Sequence, residues 1–134
     1  LAALLRHAEL VATRPADCGQ AEIDALRALG LSPQAVVALT QLVSFVPYQV
    51  RLLAGLRAMQ GGGGTVPPGP APVAADRPFT LAEVGWQPRL PPVEEAGATP
   101  AQLAALEACP PGQRNSVYFR TLALDPGSLG ERGA

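Results

Sequence analysis

The sequence contains no lysine, and its ten basic residues are all arginines, which indicates a bias of the coding sequence rather than a site. The formal net charge is −1, so the chain offers no basic surface to nucleic acid, and we expect no nucleic-acid partner. Only two cysteines are present, Cys18 and Cys109, far apart in the chain. A disulfide framework and a cysteine-based zinc site are therefore excluded, and we expect no metal and no cofactor.

Long uncharged hydrophobic runs are also missing. The apolar N-terminal stretch contains Arg6, His7 and Glu9, so it lacks the uncharged core of a signal peptide. The most apolar run, residues 35–46, is too short to span a bilayer. We therefore expect a cytoplasmic protein with no membrane partner. The chain begins with leucine rather than methionine, and we expect that an N-terminal portion is missing.

Glycine and proline are concentrated in residues 61–78, GGGGTVPPGPAPVAADRP. Consecutive glycines lose much backbone entropy on ordering, and the prolines that follow favour extended conformations. The composition predicts a flexible linker between an N-terminal block, residues 1–60, and a C-terminal block, residues 79–134.

The N-terminal block predicts three helices. Apolar residues recur at helical spacing up to Pro15, which ends the first helix. The second covers about residues 21–29 and stops at Gly30. The third begins at Ser32, a favourable N-cap followed by a proline at the first helical position.

The third helix is apolar nearly all round over residues 35–46, which predicts a central, buried helix. Pro47 lies inside it and removes one backbone hydrogen bond. The sequence therefore predicts a kink between Val43 and Pro47.

One polar stripe runs along this helix, formed by Gln41, Ser44, Tyr48 and Arg51. It could line a cavity in which Arg51 holds an anion. The alternative, which we favour, is a polar seam that bonds neighbouring helices or a second subunit.

The C-terminal block contains clear helix starts but short elements. Thr80 with Glu83, and Thr99 with Gln102, have the spacing of capping boxes. Residues 86–92 hold three prolines and are expected to be irregular. Neither block shows a convincing strand pattern, so the predicted fold class is all-α.

The sequence gives little support for a nucleophilic catalytic residue. Cys18 leads into a helix, where a thiol pKa is lowered, but it also fits a small turn residue, and we favour the turn. Cys109 ends a helix, where the dipole disfavours a thiolate. His7, the only histidine, lies at the rim of an apolar stripe without a thiol or carboxylate partner in the local sequence, which favours a packing role. We therefore assign no catalytic, cofactor-binding or metal-binding residue.

Several segments are similar to the carboxymuconolactone decarboxylase/alkylhydroperoxidase D-like family. In the N-terminal block these are HAELV from His7, LTQLVSF from Leu39 and YQVRLLAGL from Tyr48. That block resembles the last three helices of the all-helical family domain. FTL from Phe79 and LALDP from Leu122, with GWQP and ATPAQL between them, resemble the opening segment of a second such domain. The resemblance implies a partial alkylhydroperoxidase D-like helical bundle interrupted by the linker.

The resemblance also implies a function. Active members reduce peroxides with a Cys-x-x-Cys pair followed by a histidine, upstream of the part matching residues 1–60 and downstream of the part matching 79–134. We therefore expect an antioxidant-type, peroxidase-related protein, here a fragment or degraded copy without that motif, so that whether it is an enzyme stays open. Peroxide is an expected substrate only if flanking sequence supplies the motif. The alternative is a non-catalytic helical oligomerisation module, and a homo-oligomer is expected in either case.

Overall fold

A computed structural model describes residues 1–61 and 87–133. Within those ranges the chain forms α-helices and no strand, which confirms the all-α prediction. The helices are α1 (Ala2–Thr13), α2 (Gln20–Ala28), α3 (Pro33–Met59), α4 (Pro100–Glu107), α5 (Val117–Leu122) and α6 (Pro126–Gly133). Short 3-10 turns cover Pro15–Asp17 and Glu95–Gly97.

Local chemistry accounts for the helix ends. Gly30 follows α2 with a φ of 90°, in the left-handed region that favours glycine. Ser32 caps α3, since its Oγ accepts the Ala35 N–H at 3.1 Å. Thr99 and Gln102 form the predicted capping box at α4, with bonds of 3.3 and 2.9 Å.

One compact unit, unit 1, contains Leu1–Phe45 and Pro88–Ala134. Its first core cluster joins α2, the start of α3 and the irregular segment before α4; the members are Ile23, Leu26, Val36, Val37 and Leu90. A second cluster joins α4, α5 and α6 through Val93, Ala105, Leu106, Ala123 and Leu129. Because Leu122 and Leu124 pack against both clusters, the two form one continuous apolar interior.

A buried carboxylate connects two helix starts inside unit 1. Asp125 is 7% exposed and precedes α6. Its Oδ2 accepts the Ser128 hydroxyl, and its Oδ1 accepts the Gln34 side-chain amide at 3.3 Å. Gln34 lies in the first turn of α3, so this pair joins parts of the sequence that are far apart.

The second unit, unit 2, contains Val46–Gln87, and the second half of α3 is its largest described part. The prediction that residues 35–46 form a buried helix is wrong for most of that run. In α3 only Val36 and Val37 are buried, and Leu42 is already 59% exposed. The physical reason is that the core of unit 1 includes only Val36 and Val37 of α3, with Leu39 packed against it.

Pro47 lies within the continuous helix α3, where it lacks the N–H that would donate to the carbonyl of Val43. The kink there stays a prediction, as does the division into residues 1–60 and 79–134. The linker beyond Gly61 and the capping box at Thr80 lie outside the described residues.

Candidate functional site

A thiol and an imidazole meet in the interior of unit 1. The Sγ atom of Cys18 lies 3.6 Å from Nδ1 of His7, and the two residues are 4% and 1% exposed. Helix α1 carries His7 inward on its buried side. The 3-10 turn Pro15–Asp17 then reverses the chain and places Cys18 against the ring.

The opposite edge of the imidazole, at Nε2, contacts α3. His7 Nε2 lies 2.9 Å from the hydroxyl of Thr40, and that hydroxyl donates its single proton to the carbonyl of Val36 at 2.8 Å. The Thr40 oxygen must therefore accept a proton from Nε2, which assigns the ring to the Nε2–H tautomer. His7 Nδ1 is then free to accept the Cys18 S–H, so a directed chain of hydrogen bonds runs from the thiol to the Val36 carbonyl.

Burial favours the neutral form of both titratable partners. Burial lowers the pKa of the His7 imidazole below its ordinary 6.5, and the nearby Glu22 carboxylate partly offsets this. Burial also raises the pKa of the Cys18 thiol above 9.0, although Arg89 opposes that rise and Glu22 adds to it. Because the thiolate is the reactive form of cysteine, burial disfavours the reactive form of Cys18 in the folded site.

Glu22 fixes the turn that carries Cys18. Its Oε2 accepts the Gly19 N–H at 2.9 Å, and its Oε1 accepts Nη2 of Arg6 at 3.2 Å. The Gly19 hydrogen bond, followed by the Arg6 contact, lowers the pKa of this carboxyl group. One carboxylate thus caps the start of α2 and also links α2 to α1, the helix that carries His7.

Sequence reasoning missed this cluster. His7 is the predicted packing residue, but it lies in the interior rather than at a rim and has a thiol partner, Cys18. The two residues are not neighbours at any helical spacing, and they meet only because the chain reverses after Pro15. Cys109 is also a free thiol, and its S–H donates to the Ala105 carbonyl at 3.4 Å.

The predicted polar stripe is only partly engaged in hydrogen bonds. Ser44 donates its hydroxyl to the Thr40 carbonyl at 2.8 Å, within its own helix. The Nε2 atom of Gln41 is buried without a hydrogen-bond partner among the described residues. Tyr48 and Arg51 are exposed. Both interpretations of the stripe stay predictions.

A second candidate feature is apolar. Seven large apolar side chains in the second half of α3 are between 42% and 85% exposed. We call five of them the distal surface: Val46, Leu52, Leu53, Leu56 and Met59. The other two are Tyr48 and Val50. By length and composition alone, the 27-residue α3 could also cross a membrane, a test that buried core helices and signal sequences also pass. Arg51 opposes insertion, because an arginine inside a membrane helix costs up to about 2.5–3.5 kcal/mol at the helix centre.

An open depression of about 350 Å³ is lined by Glu94, Glu95, Ala96, Asn115 and Arg120. Its charges are already used within the protein. Arg120 pairs with Glu94, while Arg114 contacts Glu95 at 3.2 Å. Because these charges neutralise each other, the depression offers no unpaired charge to a ligand.

Comparisons with protein families, characterised proteins and solved structures find no match to this chain. In the described parts of the chain, no group of three or more histidine, cysteine or acidic residues could hold a metal ion. Among residues 1–61 and 87–133, we base the functional argument on the thiol–imidazole cluster and the distal surface of α3.

Proposed function

We propose that this chain is a non-catalytic helical module that associates with a second copy of itself through the distal surface of α3. One observation carries the proposal: the distal surface exposes large apolar side chains over the second half of a regular helix. Burial of such side chains away from water contributes a favourable free energy of about 25 cal/mol per Å² of apolar area. Contiguous apolar surface of this kind is typical of interaction sites.

The size of the distal surface sets the expected affinity. Five partly exposed side chains of this kind offer on the order of 500 Å², so two copies would bury about 1,000 Å², the lower bound for a specific interface. We therefore expect reversible association in the micromolar range rather than a permanent dimer.

Thiol-dependent peroxide chemistry, which the family resemblance implies, is the second candidate. The Cys18–His7 contact favours it, because Nδ1 could take the thiol proton during attack on a peroxide. Three features weaken this candidate: the thiol is buried, its pKa is raised, and no resolving cysteine accompanies it in sequence. Self-association is therefore the better-supported proposal.

Sedimentation velocity of the full chain over a range of micromolar concentrations tests self-association. We expect the sedimentation coefficient of the wild type to rise with concentration. Leu56→Arg, which puts a charge into the distal surface, should stay monomeric. Ala58→Arg adds the same charge on the opposite side of α3 and should associate like the wild type. A wild type that is monomeric throughout, or two variants that behave alike, would contradict the proposal.

A further inference from the structure

Among the described residues, helix α1 supplies no member of either core cluster of unit 1. Two of its side chains, His7 and Leu10, are buried, and Leu4 packs against the first cluster from a partly buried position. The ion pair between Arg6 and Glu22 also joins α1 to α2, but the Arg6 side chain is 70% exposed, so this pair contributes little to stability. Because other elements form both clusters, α1 can separate by local unfolding without dismantling either core.

The hydrogen bonds that anchor α1 depend on a neutral imidazole. His7 Nδ1 accepts the Cys18 thiol proton, while Nε2 donates to Thr40. A proton added to the ring turns Nδ1 into a second donor, and the Cys18 sulfur that faces it is only a weak acceptor. Thr40 is uncharged and already accepts from Nε2. The cluster therefore provides no strong acceptor for the added proton.

The charged groups around the ring compensate this proton only in part. Glu22 of α2 is the acid whose charge acts on His7, but its two oxygens already accept hydrogen bonds from the start of α2 and from Arg6. Arg89, from the irregular segment before α4, acts on the thiol of the pair, and its positive charge adds to that of a protonated ring. Burial outweighs the effect of Glu22, so the pKa of His7 in the docked helix lies below 6.5.

We infer that α1 is an acid-responsive element, which undocks from unit 1 when His7 takes up a proton and thereby exposes the thiol of Cys18. Cys18 is buried, and the His7 ring is its contact from α1, so the departure of α1 uncovers the sulfur. In the undocked helix the ring is in water and binds the proton more readily, so this state gains population as the pH falls. The inference concerns unit 1 and stands whether or not the chain self-associates.

Labelling of Cys18 at several pH values between 5 and 7 tests the inference. The full chain carries Cys109→Ser, so that a single thiol reacts, and the reagent is a pyridyl disulfide, which still reacts in acid. The labelling rate of the native chain, divided by that of the urea-unfolded chain at the same pH, gives the accessible fraction. We expect this fraction to rise by up to about 25-fold from pH 7 to pH 5, because a ring with an ordinary pKa near 6.5 drives the undocking.

Two variants separate protonation from docking. His7→Gln does not titrate, and its amide can donate to Thr40 and accept from Cys18, so its accessible fraction should stay constant with pH. Leu10→Ala weakens the apolar contact of α1 and leaves the imidazole in place. Its accessible fraction should be higher at every pH and should rise with acid by a similar factor.

Urea titrations at each pH give the fraction of globally unfolded chains for comparison. If the accessible fraction of Cys18 equals that fraction at every pH, α1 does not undock separately and the inference is overturned. A wild type with constant accessibility from pH 7 to pH 5, or a His7→Gln variant that follows the wild type, also overturns it. Because His7 is the only histidine in the sequence, the wild type and Leu10→Ala remain decisive even if His7→Gln does not fold.

Discussion

Cys18 and His7 form a buried pair in which the thiol donates to Nδ1 at 3.6 Å and the opposite ring nitrogen donates to Thr40 at 2.9 Å. The contact connects α1, the turn before α2 and α3 within one unit. Each donor in this series of hydrogen bonds has an acceptor, so the cluster is a satisfied polar network inside an apolar core.

Removal of the imidazole should destabilise unit 1. His7→Ala leaves a cavity and deprives both the Cys18 thiol and the Thr40 hydroxyl of a partner, so we expect a loss of about 2–4 kcal/mol in the free energy of unfolding. Urea denaturation followed by circular dichroism measures it. Leu5→Ala, at an exposed position of the same helix, should change stability by less than about 1 kcal/mol. Equal losses in the two variants would show that the network does not matter.

Stability should fall on mild acidification. The pKa of His7 is lowered below 6.5 in the folded state, so the unfolded chain binds more protons just below that pH. The folded state is therefore progressively disfavoured as the pH falls below 6.5, since the proton must enter a buried site facing Cys18 and Thr40. Urea midpoints measured between about pH 5 and pH 7 should drop for the wild type and stay flatter for His7→Gln. A wild type with the same midpoint across this range would contradict the assignment of a neutral imidazole.

Protonation of Glu22 should cause a second loss of stability, at lower pH than that of His7. Its pKa is lowered below 4.5, so its contribution is present above that value and is lost as the pH falls further. Glu22→Gln should therefore weaken the pH dependence of stability below about pH 4.5. The transition of His7 should persist, with the folded-state pKa of His7 lowered further, because the carboxylate that raises it is gone. Exposed Asp24, which accepts a hydrogen bond from Gln20 on the surface of α2, provides the control variant Asp24→Asn.

The two thiols should differ in reactivity, and neither should support turnover. We expect an aromatic disulfide reagent to modify half-buried Cys109 first and Cys18 only on unfolding, because Cys18 is 4% exposed with a raised pKa. Cys109→Ser should remove the fast phase. Peroxide consumption in the presence of dithiothreitol should stay at background. Sustained consumption that is lost in Cys18→Ser would instead make Cys18 the nucleophile of a peroxidase.

The carboxylate of Asp125 should stabilise unit 1 by joining the start of α3 to the start of α6. Asp125→Ala leaves the amide of Gln34 and the hydroxyl of Ser128 without their acceptor, so we expect a loss of about 1–3 kcal/mol in unfolding free energy. Asp24→Ala on the exposed face of α2 should have little effect. If the two variants lose equal stability, the Gln34–Asp125 contact contributes nothing.

Short-range chemistry was predictable from the sequence. The stop before Pro15, the start of α3 at Ser32 and the capping box at Thr99 each depend on residues within one helical turn, and each is confirmed. The extent to which α3 is buried was not predictable. Periodicity shows which side chains are apolar, but it says nothing about how many neighbours cover them. Hydrophobicity all round the helix fits an exposed association surface as well as a core.

The cluster at His7 was hidden for a different reason. Its members come from α1, a turn and α3, so their meeting depends on the angle at which the chain reverses near Cys18. A pattern search along the chain measures separations in residues, and those separations carry no information about that angle.

The chain has a single histidine, and that ring lies in the interior between α1 and α3. In a nuclear magnetic resonance spectrum its signals therefore stand alone, without overlap from surface rings. The nitrogen shifts distinguish the Nε2–H tautomer from the other neutral form and from the imidazolium. The two ring nitrogens of this one native residue can thus report, without a covalently attached probe, whether α1 is docked, whether the thiol of Cys18 still donates, and at what pH the interior takes up a proton.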